Sequence, residues 1–173
     1  KTNRSMNETI EVLKTRRSNR AYTAQMPEDE KINDIIDAGL FAPTGMGRQG
    51  VKFAVIKDRA TRDRLSAMNA EIMGGSGDPF YGAPVVIIVL ANKDNPTYIY
   101  DGSLAMGNMM NAAHALGLGS CWIHRAKEEF ESESGRAMLK EWGIEGNYEG
   151  IGHVILGYAK DEPQAKPRIA DRV

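Results

Sequence analysis

Three arginines and a serine fall within five residues at Arg16-Arg17-Ser18-Asn19-Arg20. That density of donors suits a dianionic phosphate, because guanidinium groups make bidentate, charge-assisted hydrogen bonds and Ser18 adds a short hydroxyl donor. Lys166 and Arg168 place a second pair of cations near the other end of the chain. The two segments are expected to close on one phosphate, with the intervening chain building a pocket for what the phosphate carries. On composition alone a solvated basic loop is the commoner explanation of such a run. The remaining residues must decide.

Other chemistries find less support. A hydrolytic triad needs a nucleophile, a histidine and a carboxylate brought together, but His114, His124 and His153 fall in three different predicted elements. Zinc would want paired His or Cys ligands at short spacing, and the sequence has no such pair. Cys121, the one cysteine, gives no disulfide framework within the chain. Beside Trp122 it reads as packing rather than as a nucleophile. Gly45-Met46-Gly47-Arg48-Gln49-Gly50 matches the dinucleotide fingerprint letter for letter, yet that fingerprint needs a strand before it and a helix after. Here the predicted order is reversed. What remains is a glycine-rich turn able to approach a ligand, with Gln49 as an amide donor and acceptor. Gly74-Gly75-Ser76-Gly77-Asp78-Pro79 is a loop whose residue order does not fit a nucleophile elbow.

The chain of 173 residues suits one domain, 1–173, with its own core. With 22 basic and 23 acidic residues the net charge is −1, too little positive charge to grip nucleic acid. The apolar run Val85–Ala91 is too short to span a bilayer, and residues 1–15 are too polar for a signal peptide. A soluble, cytoplasmic protein without a membrane or nucleic-acid partner is expected.

The elements that would position the candidate residues follow from local pattern. Ser5-Met6-Asn7-Glu8 has the form of a capping box, predicting a helix from near Met6 to Thr15. Pro27 as a first helical residue and the acidic turn after it predict a second helix, with Ile32, Ile35, Ile36 and Leu40 on one face and Pro43 ending it. A strand is predicted at Lys52–Ile56, then a helix from Ala60 to Met73 with Leu65 and Met68 inward. Val85–Leu90 lacks polar alternation, so it should lie at the centre of a sheet, buried on both faces. Tyr100–Leu116 should be one long helix buried on most sides, a core helix and a candidate dimer seam. A short strand at Ser120–Ile123, a helix over Lys127–Trp142 and a strand over Gly150–Tyr158 complete the pattern, before a polar tail.

Taken in order, these features resemble one known family. They are the arginine-serine loop after the first helix, Ala42-Pro43-Thr44 with Arg48-Gln49 before a strand, and Phe80-Tyr81-Gly82-Ala83-Pro84 before a buried strand. The long helix running into Gly117-Leu118-Gly119-Ser120-Cys121-Trp122-Ile123, the Ile155-Leu156-Gly157-Tyr158 strand and a closing basic pair follow. The sequence is similar to the FMN-dependent nitroreductases over nearly its whole length. The resemblance implies an α+β fold, with a mixed central β-sheet flanked by helices and a long buried core helix at a dimer interface. It implies a homodimer with FMN at the interface, NADH or NADPH as co-substrate, and a small-molecule electron acceptor such as a nitroaromatic or quinone. By position, Arg16, Arg17, Ser18 and Arg20 would contact FMN, and Lys166 and Arg168 would form a second phosphate grip. Pro43, Thr44, Met46 and Gln49 would lie along the flavin from the partner chain. Asn69 would offer an amide to the ring, and Cys121, Trp122, Ile123 and His124 would flank it, with a backbone amide near His124-Arg125 serving N5. Arg20 would be the cation near the N1 and O2 edge. No side chain is assigned as a catalytic acid or base, because the flavin would carry the chemistry. Related reactions on the same flavin, or flavin storage without catalysis, are the alternatives.

Overall fold

Strand β2 (Val85–Asn92) organises the structure, a computed structural model that describes residues 7–173. Val85 through Ala91 are buried, as an unbroken β-branched run demands. The other elements, in chain order, are α1 (Glu8–Thr15), α2 (Asp29–Leu40), β1 (Val51–Ile56) and α3 (Arg59–Ile72) before β2. After it come α4 (Tyr98–Ala115), β3 (Gly119–Ile123), α5 (Ala126–Glu131), α6 (Glu133–Glu141) and β4 (Tyr148–Gly157). The sheet order is β1-β2-β4-β3, so β2 and β4 are central while β1 and β3 form opposite edges. All three ladders are antiparallel. Among the described residues, the parallel component of the sheet is a single bridge, Ser18 to Ser120, beside β3.

Period-2 alternation along β2 splits the core in two. Val86, Ile88 and Leu90 pack with Ile155, Leu65, Phe80, Ile123 and Phe130 on one face. Val85, Ile87, Val89 and Ala91 pack with Met106, Met109, Ile32 and Ile35 on the other. The β2–β4 register shifts between Val89 and Leu90, which pair with Gly152 and Gly150. The extra residue, Ile151, thereby joins the α4 face, as a bulge allows. There its side chain lies against Gly102, where a Cβ would meet Ile151 Cγ1 at 2.7 Å.

Local boundaries differ from expectation where caps decide them. Asn7 is the N-cap of α1, its side chain accepting from the Thr9 amide at 3.0 Å; Ser5 and Met6 lie outside the described residues. Helix α2 begins at Asp29, capped by Glu28, so Pro27 precedes the helix instead of opening it. Leu40 is exposed rather than inward, and the helix ends before Pro43. The helix expected over Lys127–Trp142 is two helices. Ser132 divides them, because its extended backbone ends α5 and its hydroxyl caps α6 by accepting from the Gly135 amide. Among the described residues, no helix is long and apolar enough to cross a membrane.

Candidate functional site

The basic loop is fastened to the β3 edge of the sheet by its own backbone. Besides the Ser18–Ser120 bridge, the Asn19 amide donates to the Ser120 carbonyl at 2.9 Å. The chain leaving β4 clamps the loop from the other side. The Asp161 carboxylate accepts from Asn19 Nδ2 at 2.9 Å and from the Arg20 amide at 2.8 Å. Burial pushes the Asp161 carboxyl up, but the Arg20 amide and the Asn19 side chain outweigh it and hold the group below the usual carboxylate range. Tyr22 closes the turn by donating its hydroxyl to the Asn19 carbonyl at 2.8 Å, and burial pushes its phenol far above the ordinary value. Gly119 makes this close approach sterically allowed: a Cβ there would lie 2.8 Å from Ala159 Cβ and 3.0 Å from Asn19 Oδ1.

The arginines divide in role. Arg17 Nη1 donates to the Lys14 and Arg16 carbonyls at 3.0 and 2.7 Å, so its guanidinium caps the end of α1. Arg20 instead lines a cleft of about 250 Å³ with Met73, Pro79, Tyr81, Cys121, Trp122, Ile123, His124 and Arg125. The cleft thus gathers five of the residues singled out from the sequence: Arg20, Cys121, Trp122, Ile123 and His124. Cys121 is buried, which pushes its thiol up despite the opposing pull of Arg20, Ser18 and Arg16. A thiol kept protonated is a packing group rather than a nucleophile.

Asn69 lies beneath the cleft and not in it. It is fully buried, and its Nδ2 donates to the His124 carbonyl at 2.9 Å and to Glu129 Oε2 at 3.2 Å. Its Oδ1 accepts from Arg125 Nε at 2.9 Å. The amide expected to face a ring is occupied by the protein, so its influence on the cleft runs through His124 and Arg125. Glu129 is itself buried against His153, with Oε2 and Nε2 2.5 Å apart but off the hydrogen-bond line, so that neither His153 Nε2 nor Glu129 Oε1 has a hydrogen-bond partner among the described residues. His153 Nδ1 lies 2.9 Å from the Ile123 carbonyl, which can only accept, so this nitrogen carries a proton.

Pro43, Thr44, Met46 and Gln49 are not brought to the cleft. Thr44 and Gln49 line another cavity, of about 180 Å³, with Ala42, Val51, Phe53, Asp101 and Ala105. Here the Thr44 hydroxyl accepts from the Gln49 amide at 3.0 Å, and Asp101 accepts from the Gly45 amide at 3.0 Å. Met46, in a left-handed backbone, is 88% exposed. The separation follows from topology. This segment leads into β1 at one edge while the cleft is built on β3 at the other, and three strand spacings amount to about 14 Å. Lys166 and Arg168 are exposed, and Arg168 turns back on the Lys166 carbonyl at 2.7 Å. The tail meets the basic loop at Asp161, whose role no pattern in the sequence marks. Among the described residues, no group of three or more His, Cys, Asp or Glu is placed to hold a metal ion.

A cleft with a guanidinium at one side and an apolar shelf of Trp122 and Ile123 suits a flat ring with a polar edge, and known proteins of this shape hold one. A crystal structure of an FMN-bound nitroreductase from Bacteroides fragilis superposes with a TM-score of 0.89 at 27% identity, covering 97% of this chain and 98% of that one. An FMN-bound nitroreductase from Desulfitobacterium hafniense gives 0.87 at 26%, covering 97% of each chain. An Archaeoglobus fulgidus protein, provisionally described as an NADH dehydrogenase/NAD(P)H nitroreductase, is 32% identical over 91% of this chain and 88% of its own length. The profile of the nitroreductase family matches residues 13–158, and the chain belongs to that family.

Proposed function

We propose that the protein is an FMN-dependent NAD(P)H oxidoreductase whose flavin sits in the cleft between the Ser18–Arg20 loop, β3 and the Met73–Tyr81 loop. The observation that carries this reading is the attachment of the basic loop to β3, which sets Arg20 beside Trp122 and Ile123 in one cleft. When bound, FMN would accept a hydride from NADH or NADPH and pass electrons to a small-molecule acceptor in ping-pong order.

The residues present fit such a group. Arg16 and Ser18 flank the loop, and neither the Arg16 nor the Arg20 guanidinium has a hydrogen-bond partner among the described residues. Both are available to an anion or to the polar edge of a ring. Charge-assisted bonds contribute about 1.5–3 kcal/mol each, so three or four suffice for roughly micromolar binding without a covalent link. Tyr81 and Met73 would screen one ring face from water, while Trp122 and Ile123 would support the other edge. Electrostatic support from Arg20 would favour the negatively charged reduced ring.

The same reading calls for a second copy of the chain. In α4, the large side chains of Ile99, Tyr100 and Leu104 are 48%, 70% and 49% exposed. The sequence had implied burial on most sides, and covering this strip with a partner reconciles the two. A partner would also bring its Thr44, Met46 and Gln49 to a cleft that the same residues of one chain lie too far across the sheet to reach.

The visible absorption spectrum of the purified protein, before and after anaerobic NADPH or NADH, tests the proposal. A flavin spectrum that bleaches supports an oxidoreductase. A flavin that stays oxidised with both donors points to flavin storage, and failure to bind added FMN sinks the proposal.

A further inference from the structure

The Arg125 side chain is the group of the cleft that the flavin reading leaves without a task. It stands just beyond β3 with φ at 75°, a left-handed conformation that non-glycine residues seldom adopt. Glycine or asparagine would take it more readily, so an arginine there implies a use for the side chain. That side chain is aimed with unusual care. Its Nε donates to Asn69 Oδ1 at 2.9 Å, and Asn69 is in turn held by Glu129 and the His124 carbonyl. Asn69 and Glu129 are fully buried. With Nε anchored, the two terminal nitrogens have no hydrogen-bond partner among the described residues, while the residue lines the cleft.

The cleft's charge points the same way. Among the described residues its lining includes Arg20, Arg125 and His124 and no carboxylate. Arg125 enters the cleft from beyond the end of β3, five residues along the chain from Ser120, to which the phosphate loop is bridged, so it is held independently of that loop.

We propose that Arg125 is an anion-recognising residue of the substrate subsite, pairing with a carboxylate or phosphate on the molecule that exchanges electrons with the flavin. This rests on the flavin reading given above. Two molecules could bring the anion, the electron acceptor or the pyrophosphate of the nicotinamide donor, because a ping-pong scheme seats both in turn. A fixed guanidinium fork recognises either group bidentately. Asn69 and Glu129 act as positioning residues behind it.

The test uses the FMN-loaded protein and the Arg125→Asn variant, which removes the charge and keeps a residue type suited to the left-handed backbone. Stopped-flow rates for the two half-reactions are measured separately. In one arm, 4-nitrobenzoate is compared with neutral 4-nitrobenzamide as oxidant of the reduced protein. In the other, NADH is compared with 1-benzyl-1,4-dihydronicotinamide, which lacks phosphates, as reductant. The expected result is that the anionic-to-neutral rate ratio falls about tenfold or more in one arm, and that Arg125→Lys restores part of it. A fall in the first arm assigns the anion to the acceptor, and a fall in the second assigns it to the dinucleotide. Ratios unchanged within twofold in both arms overturn the proposal. So does an equal fall in Lys127→Gln, a variant on the exposed side of α5, since that would reveal only the general field of the surface. Calorimetric binding of benzoate against benzamide, on the protein as purified, gives a readout without turnover; benzoate held no more tightly than benzamide, and no less tightly by Arg125→Asn, also counts against it. If neither donor bleaches the flavin, it is the oxidoreductase reading that fails. Bleaching with unchanged ratios removes Arg125 alone.

Discussion

On one face of the sheet, α2 and α4 cover Val85, Ile87, Val89 and Ala91 with methionine and isoleucine side chains. On the other, α3 and α5 cover Val86, Ile88 and Leu90, but Arg62, Asn69, Glu129 and His153 are buried beside the same apolar residues. The first face is apolar apart from Asp101 in α4 and would suit any α+β scaffold. The second accepts the cost of buried polar groups, and its polar chain ends on Ile123, His124 and Arg125 at the cleft. Buried polar groups are thus more numerous on the face that carries the cleft. That distribution fits a site whose geometry must be held to a fraction of an ångström.

The largest expected effect breaks the polar face. In Glu129→Ala, one donor of Asn69 loses its buried acceptor and His153 Nε2 loses the carboxylate beside it, and truncating one member of a buried pair costs about 3–5 kcal/mol. Urea denaturation measures it. The double variant Glu129→Leu with His153→Leu should recover a large part of that loss, because apolar replacement of both partners removes the orphaned group. If the single variant costs less than about 1 kcal/mol, the polar face is no more demanding than the apolar one and the contrast fails.

A smaller effect sharpens the contrast from the other side. Gly102 in α4 faces Ile151, and an added Cβ would meet Ile151 Cγ1, Cγ2 and Cβ at 2.7, 3.1 and 3.2 Å. Alanine gains about 1 kcal/mol over glycine in a helix interior, whereas overpacking costs about 1–3 kcal/mol. The clash wins, since the β-branched Ile151 is held at the bulge. Gly102→Ala is therefore expected to destabilise by about 1–2 kcal/mol in the same assay. A stabilised variant would mean that this face yields easily and that its packing is not tight.

The apolar face was also the more legible in the sequence. Unbroken β-branched residues predict β2 as central, and helical spacing predicts α2, α3 and α4 to within a few residues. What escaped was set by single hydrogen bonds or by topology. Ser132 splits a periodic segment through one hydroxyl, and the bulge that turns Ile151 toward Gly102 depends on a register between distant strands. In the cleft, Trp122, Ile123 and His124 were singled out through the family resemblance, and the structure gathers them with Arg20. Asp161 and the Asn69–Glu129–His153 chain were not, since acidic and amide residues are common and only the fold makes neighbours of residues so far apart in sequence. The turn Gly45–Gly50 with Gln49 was readable as one able to approach a ligand, but no local pattern tells that β1 and β3 lie on opposite edges.

The smallest predicted effect is a pH dependence at the rim of the cleft. The Asp78 carboxylate accepts from Arg62 Nη2 at 2.5 Å, Ser66 Oγ at 2.7 Å, and the Phe80 and Gly82 amides at 3.0 and 2.7 Å. These bonds shape the loop that carries Pro79 and Tyr81 into the cleft. Burial pushes the carboxyl up, yet Arg62, Ser66 and the Gly82 amide together hold it below the usual carboxylate range. A folded-state value lowered in this way gives stability that is present above the unfolded carboxylate value, near 3.9, and is lost as pH falls through the folded value. The Asp78 side chain is 34% exposed, so screening reduces the contribution to about 1 kcal/mol. Denaturation of wild type and Asp78→Asn should differ by that amount at pH 7, and the gap should narrow as the pH drops below about 4. A gap that stays constant down to pH 2.5 would show that Asp78 holds the loop by shape and not by charge, and would set this rim apart from the polar face beneath it.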